Sequence, residues 1–181
     1  VNTLCDELDI NLILDLGSGQ GYLDLALAYA YGRTVIGVDN DSLQTHGAKK
    51  RSVNALRFKK NHKIGSLYYV NRRIHVSESF DSLLKEEGIR VEFENRKWLL
   101  CGLHTCGDLS PASIQHFLES DASVLVNVSC CYNRLTETIP EGYKDKPKVE
   151  PNPGFPMSDY VKSSKFYIGH SGRSTACQCT M

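Results

Sequence analysis

Leu12-Ile13-Leu14-Asp15-Leu16-Gly17-Ser18-Gly19-Gln20-Gly21-Tyr22 is an apolar run that passes an acidic residue and enters three glycines at alternate positions. Glycine accepts backbone angles closed to other residues and lets a ligand approach where a Cβ would stand. The run therefore reads as a strand turning sharply into a binding loop. Beyond it, Leu23, Ala26, Leu27, Ala30 and Tyr31 recur at helical spacing, which predicts a helix over 21–31. A second apolar run, Thr34-Val35-Ile36-Gly37-Val38, ends on Asp39, a carboxylate placed to accept both hydroxyls of a ribose. Strand, loop, helix, strand and acid in this order describe a nucleoside-binding unit. The plain alternative, a glycine turn with Asp39 as a helix cap, leaves the match of all five features to chance.

Spacing separates two cofactor classes. A dinucleotide fingerprint places its third glycine three residues after the second, and here that residue is Tyr22, too bulky for close packing of helix on strand. S-adenosylmethionine carries an ammonium, a carboxylate and a sulfonium but no phosphate, and it suits an acidic residue just before the glycines, here Asp15. A nicotinamide oxidoreductase is the weaker reading, although Asp39 suits the adenosine of either cofactor.

Working outward, the sequence predicts a basic helix over 42–60 and a third strand in the later part of 67–76, interrupted near Asn71. A helix over 80–88 is stopped by Gly88, a strand covers 98–103, a helix covers 110–120 with Pro111 in its first turn, and a strand covers 123–128. Strands alternating with helices predict an α/β fold, a doubly wound and mostly parallel sheet. From Tyr132 the pattern changes. Pro140, Pro147, Pro151, Pro153 and Pro156 crowd a polar stretch, so 133–158 is expected to form an irregular loop on the substrate side, with one short helix within 158–165.

With 41% apolar residues in 181, the chain can bury one sizeable core, and a single domain over 1–181 is the economical expectation. No run approaches the roughly 20 apolar residues that cross a bilayer, and the first residues lack the blocks of a signal peptide, so no membrane partner is expected. Seven cysteines are an odd number, and those of the second half fall on predicted strands or strand ends. That usage points to a reducing compartment, cytoplasm or nucleus, rather than to a disulfide scaffold. The formal net charge is zero, which removes any global attraction to nucleic acid. Locally, however, Lys49, Lys50, Arg51, Arg57, Lys59, Lys60 and Lys63 run together without an acidic residue. Such a stretch is either solvated or set against phosphates, and RNA is the partner it would fit. Nothing in the sequence sets an oligomeric state.

In open α/β sheets, ligands sit beyond the carboxyl ends of the strands, so the exits of the fourth and fifth strands should face the cofactor. They read Cys101-Gly102-Leu103-His104-Thr105-Cys106-Gly107-Asp108-Leu109 and Asn127-Val128-Ser129-Cys130-Cys131-Tyr132-Asn133. His104 is a candidate general base, because its ordinary pKa lies near neutrality, and equally a helix cap or a partner of a backbone carbonyl. Asp108 would orient His104 or hold substrate, or else stand close to the cap of the next helix, where Ser110 is the more natural cap. Tyr132 would stack on a base or close the methyl pocket. Cys130 is a candidate nucleophile toward a pyrimidine, provided a cation activates its thiolate. Cys101, His104, Cys106, Cys130 and Cys131 can converge between adjacent strand ends, and thiolates with imidazole hold zinc. Their spacing matches no closed zinc motif, so the expectation is small side chains packed beside the cofactor, and no metal.

The loop from Asp15 to Gly21 and the Val38-Asp39 pair resemble the first and second motifs of class I S-adenosylmethionine-dependent methyltransferases. With the His-x-Cys-Gly-Asp-Leu and Cys-Cys-Tyr exits and Gly154-Phe155-Pro156-Met157-Ser158, the chain resembles the methyltransferase-like protein 25 family over about 13–178. That family includes the ribosomal RNA adenine dimethylase domain-containing protein. The resemblance implies a Rossmann-like methyltransferase domain with S-adenosylmethionine as cofactor. Asp15, Gly17, Ser18, Gly19 and Gly21 would cradle the methionine part, Asp39 the ribose, Asn40 the adenine edge and Glu78 its amino group. More distant relatives with the His-x-Cys-Gly and Cys-Cys elements include a transfer RNA methyltransferase, so an RNA acceptor is implied. Adenine-N6 methylases carry Asn or Asp, two prolines and an aromatic residue at the fourth exit, and this chain has no such tetrapeptide. A complete sheet of this class has seven strands and about five are placed here, so the last strands are expected to be missing, and a chain starting at Val1 reads as a fragment. Two other functions suit the same fold: a cofactor-binding scaffold without catalysis, and a protein methyltransferase.

Overall fold

Five parallel strands, β1 (Leu12–Leu16), β2 (Thr34–Asp39), β3 (Leu67–Asn71), β4 (Trp98–Leu103) and β5 (Val124–Val128), lie in the order β3-β2-β1-β4-β5. The structure, a computed structural model, describes residues 1–58, 65–74, 79–91, 96–139, 141 and 153–177. Both faces of the sheet are covered, which is why its central strands read as continuous apolar runs. On one face Leu12, Leu14, Leu16, Ile36, Val38, Val70, Trp98 and Leu100 pack against Phe80, Leu83 and Leu84 of a helix over Phe80–Glu86 and Phe117 of one over Leu109–Leu118. On the other, Ile13, Val35, Leu99 and Cys101 meet Cys5, Leu27, Ala28, Tyr29 and Ala55.

In chain order the helices are α1 (Asn2–Leu8), α2 (Tyr22–Leu25), α3 (Ser42–Phe58), α4 (Phe80–Glu86), α5 (Leu109–Leu118), α6 (Asp159–Ser163) and α7 (Gly169–Ala176). α2 passes directly into a wider π-helical turn over Ala26–Ala30, where the sequence predicts one uniform helix. The chain winds from β1 outward to β2 and β3, then returns to β4 and β5 on the other side. The reversal falls between β1 and β4, where Asp15 is in register with Cys101. This is the switch point at which α/β sheets open a crevice.

Several boundaries differ from expectation. β3 occupies the first half of its window and ends at Asn71, whose side-chain amide donates to Asp39 O and Thr45 Oγ1 at 3.0 and 3.2 Å and draws the chain off the sheet. Val1, Leu4, Cys5 and Leu8 stand at helical spacing along α1, whereas α7 carries no periodic apolar face in the sequence. α7 is instead fixed by Glu137, which accepts the amides of Ile168 and Gly169 at 2.6 and 3.0 Å and pairs with Arg173. The described ends of the proline-rich stretch are ordered against each other: Phe155 N donates to Thr136 O and Thr138 N to Phe155 O. Glu78, Lys59, Lys60, Lys63, Pro140, Pro147 and Pro151 lie outside the described residues. Among the described residues, no helix is long and apolar enough to cross a membrane.

Candidate functional site

The glycine loop hooks over the end of β2. Gly17 and Ser18 donate their amides to Val38 O at 2.8 and 3.1 Å, and Gly21 N closes the turn on Ser18 O at 2.9 Å. Gly19 N donates to Asp39 Oδ2 at 2.8 Å, and Asp41 N to Asp39 Oδ1 at 2.8 Å. Each carboxylate oxygen thus holds one backbone amide and keeps a lone pair for a further donor. A Cβ on Gly21 would lie 2.1 Å from Tyr69 Oη, so that glycine serves packing. On Gly19 a Cβ would meet nothing nearer than 4.0 Å, and the backbone there, at φ +53°, turns toward open space beside Asp39. Asn40 is exposed next to it, and Asp41 caps α3 by accepting Leu43 N at 2.8 Å.

Arg51 braces the loop from α3. Its guanidinium donates to Gln20 O and Gln20 Oε1 at 2.5 and 2.7 Å and lies 4.2 Å from the centre of the Tyr22 ring. One member of the basic stretch is therefore turned to the loop, while Lys49, Lys50 and Arg57 are exposed.

Below the loop lies an acidic pair. Asp15 is buried among the sheet residues and contacts Asp24 and Cys101 through its side chain. Asp24 occupies space above Gly37, where a Cβ would stand 2.5 Å from Asp24 Oδ2. Burial pushes Asp15 up to about 6 and Asp24 well above the usual carboxylate range, the latter helped by the Asp15 charge. Two ionised carboxylates would have no donor between them, and one retained proton supplies it. The structure thus seats Asp15 under the loop rather than on its open side. The signal for Asp24 was present in the sequence: a charge spaced with Leu27 and Ala28 on the inward face of the helix.

At the exits of β4 and β5 a polar chain replaces the expected His104–Asp108 pair. His104 is exposed at φ +66°. Thr105 is buried; its amide donates to Val128 O at 3.1 Å and its hydroxyl to Asn127 Oδ1 at 2.7 Å. Asn127 Nδ2 donates to Ser110 Oγ at 2.7 Å, and Ser110 Oγ meets Ser129 Oγ at 2.5 Å. Ser110 is therefore not a helix cap, because its hydroxyl is used in this chain. Asp108 holds the N-cap position without a capping bond; its Oδ1 accepts Thr136 N at 2.8 Å and fastens the segment after Tyr132. The sequence marks Ser110 only as a cap and gives no signal for Thr105, Asn127 and Ser129, since such pairings join residues far apart in the chain.

Tyr132, partly exposed, lines a pocket of about 140 Å³ with Pro111, Ile114, Leu135, Phe155 and Met157. Beside it the sulfurs of Cys106, Cys130 and Cys131 converge, at 3.0 Å for Cys106–Cys131, 3.4 Å for Cys106–Cys130 and 3.5 Å for Cys130–Cys131. Burial and the two neighbouring thiols push Cys106 up to about 12, whereas hydrogen bonds from those neighbours hold Cys131 below the usual thiol range. Cys101 is buried elsewhere, against Asp15, so three of the five candidate ligands come together.

A family model described as "Methyltransferase domain" matches residues 1–138. Over 80 residues the chain is 39% identical to "Probable methyltransferase-like protein 25" of Mus musculus and 36% identical to its Homo sapiens counterpart, covering 44% of this chain in each case. The chain spans only 13% of the length of either relative. Among solved structures, the bifunctional kinase-methyltransferase WbdD is similar over 56% of this chain and 18% of its own, at 20% identity and a TM-score of 0.37. A WbdD complex with the kinase inhibitor LY294002 matches 71% of this chain and 27% of its own, at 16% identity and a TM-score of 0.44.

Proposed function

Because the chain belongs to the methyltransferase-domain family, we propose that it is an S-adenosylmethionine-dependent methyltransferase domain acting on RNA, in the cytoplasm or nucleus. One observation carries the cofactor: Asp39, held by the Gly19 amide at 2.8 Å, beside a loop position where no side chain intrudes. The residues fit the group. Asp39 would accept the ribose hydroxyls, Asn40 the adenine edge, and Gly19 would leave room for the methionine part. The retained negative charge of Asp15 and Asp24 below the loop would favour its ammonium and sulfonium. S-adenosylmethionine supplies an electrophilic methyl on a cationic sulfur.

The chain's own contribution is placement, which by itself accounts for much of the rate of such a displacement. The pocket beside Tyr132 would seat a planar acceptor, with the phenol stacked on it. His104, open to water, would take any proton the acceptor loses. Lys49 and Lys50, exposed two turns into α3, would meet phosphates. The bond from Thr136 N to Asp108 Oδ1 favours a second reading, a cofactor-binding scaffold, because it gives Asp108 a structural task, fastening the segment after Tyr132.

Calorimetric titration with S-adenosylhomocysteine tests the cofactor. The full-length protein should bind, and Asp39→Asn should weaken binding about 10- to 100-fold, as loss of charge-assisted hydrogen bonds does. No binding by folded protein, or equal binding by the variant, overturns the reading. Transfer of labelled methyl to fractionated RNA tests the acceptor: label in protein alone moves the function to a protein methyltransferase, and no label to the scaffold.

A further inference from the structure

We propose that Cys106, Cys130 and Cys131 form a three-thiolate site for zinc(II), with the fourth coordination position left to water or an acceptor atom. The assignment stands on the thiol geometry and does not rest on the methyltransferase reading. Cys106 comes from the exit of β4, and Cys130 and Cys131 from that of β5. The exits are tied by Thr105 N to Val128 O at 3.1 Å and by the hydroxyl of Thr105 to Asn127 at 2.7 Å. Their three sulfurs lie 3.0–3.5 Å apart and have one another as hydrogen-bond partners. Neutral thiols gain little from such crowding, since S–H is a weak donor and S a weak acceptor.

A cation changes that balance. With sulfurs at these separations, a point about 2.3 Å from all three, the zinc–thiolate distance, lies roughly 1.3 Å above their plane. The three ligands then form the base of a pyramid that opens to a tetrahedron with a small outward movement of each side chain. Thiolates select soft or borderline cations, and zinc, with no electronic preference of geometry, accepts three protein ligands and one open position. Each thiol gives up its proton as its sulfur binds, so affinity falls at lower pH. His104, exposed, is not part of the cluster. A Cys106–Cys131 disulfide would require an oxidant and leave Cys130 unused.

The test uses the full-length protein, expressed without a metal-affinity tag, reduced and freed of loose metal. Elemental mass spectrometry should find about one zinc per chain, and cobalt(II) in its place should give a near-ultraviolet thiolate-to-cobalt band. Cys106→Ser and Cys131→Ser should each lower zinc affinity at least tenfold, while Cys177→Ser binds as wild type. Should the serine variants fail to fold, X-ray absorption of the wild-type protein decides, with three sulfurs about 2.3 Å from zinc expected. Folded protein without zinc, copper in place of zinc, two or fewer sulfur ligands, or unchanged affinity in folded Cys106→Ser overturns the assignment.

Discussion

Asp15 and Asp24 meet side chain to side chain beneath the glycine loop, 2% and 0% exposed, and among the described residues no cation stands against either. Both carboxyls have folded pKa values above the unfolded 3.8, chiefly because burial penalises the charged form. The folded chain then keeps protons that the unfolded chain has released. The stability this pair supplies is full below about pH 4 and is lost as pH rises through about 6 and above. Asp24→Asn removes one ionisation and gives Asp15 a permanent donor. Urea unfolding should show a flatter pH dependence for the variant, and a gain of about 1–3 kcal/mol over wild type near pH 8. A variant that tracks wild type at every pH would show that the two carboxyls do not share a proton.

Gly19 and Gly21 should respond oppositely to alanine. At Gly21 the new methyl would lie 2.1 Å from Tyr69 Oη at φ +70°, so thermal unfolding should drop by about 2–4 kcal/mol. At Gly19 no atom is closer than 4.0 Å, and only backbone strain of about 1 kcal/mol is expected. Gly19→Ala should instead lose S-adenosylhomocysteine binding, read by calorimetry, because its methyl projects into the space beside Asp39.

Arg51→Ala removes both hydrogen bonds to Gln20 and the stacking on Tyr22. The expected result is faster hydrogen exchange across residues 17–22 and a several-fold loss of cofactor affinity. Global stability should change by about 1 kcal/mol at most, since the guanidinium is partly solvated. Exchange confined to wild-type rates would mean that the loop holds its shape unaided.

Glu137 and Arg173 form an ion pair whose side chains are 1% and 12% exposed. Glu137→Ala leaves the guanidinium without Glu137 and strips the amides of Ile168 and Gly169, at the start of α7, of their acceptor. A loss of about 3–5 kcal/mol is expected, in the range for a broken buried pair, with exchange at 169–176 rising first. A double change of Glu137→Met and Arg173→Met should recover part of it.

Asp108→Asn keeps an acceptor for Thr136 N and should leave both fold and methyl transfer close to wild type, whereas Asp108→Ala should release the segment around Thr136. Rate loss in the Asn variant with the fold intact would restore Asp108 to a direct part in the chemistry.

Sequence alone marked β1, β2, β4, β5 and the glycine turn, because buried parallel strands are continuous apolar runs and the glycines sit where backbone angles demand them. The family was legible from the exits, where Cys-Cys-Tyr and His-x-Cys-Gly are rare combinations. β3 was misplaced within its window because its end is set by a side-chain amide of Asn71 reaching Asp39 and Thr45, not by a break in hydropathy. α7 leaves no periodic trace because none of its eight side chains is buried, whereas α1 does show one, with Val1, Leu4, Cys5 and Leu8 at helical spacing and the first three packed into the core. Arg51 looked like any member of a basic run. Its partners lie 31 residues away, and only folding brings them together.

The widened turn after α2 has a role in wiring the two ends of neighbouring connections. Ala28, fully enclosed within it, offers its carbonyl to Gly32 N at 3.1 Å and to Gly65 N at 2.9 Å, while Leu27 O takes Arg33 N at 3.1 Å. A side chain at position 65 would stand 1.9 Å from Arg33 O. Lengthening or shortening the 26–30 turn by one residue would swing these acceptors by about 100° and unfasten the lead-ins to β2 and β3 together, so the spacing between the glycine loop and the sheet's outer half is metered by two adjacent backbone oxygens.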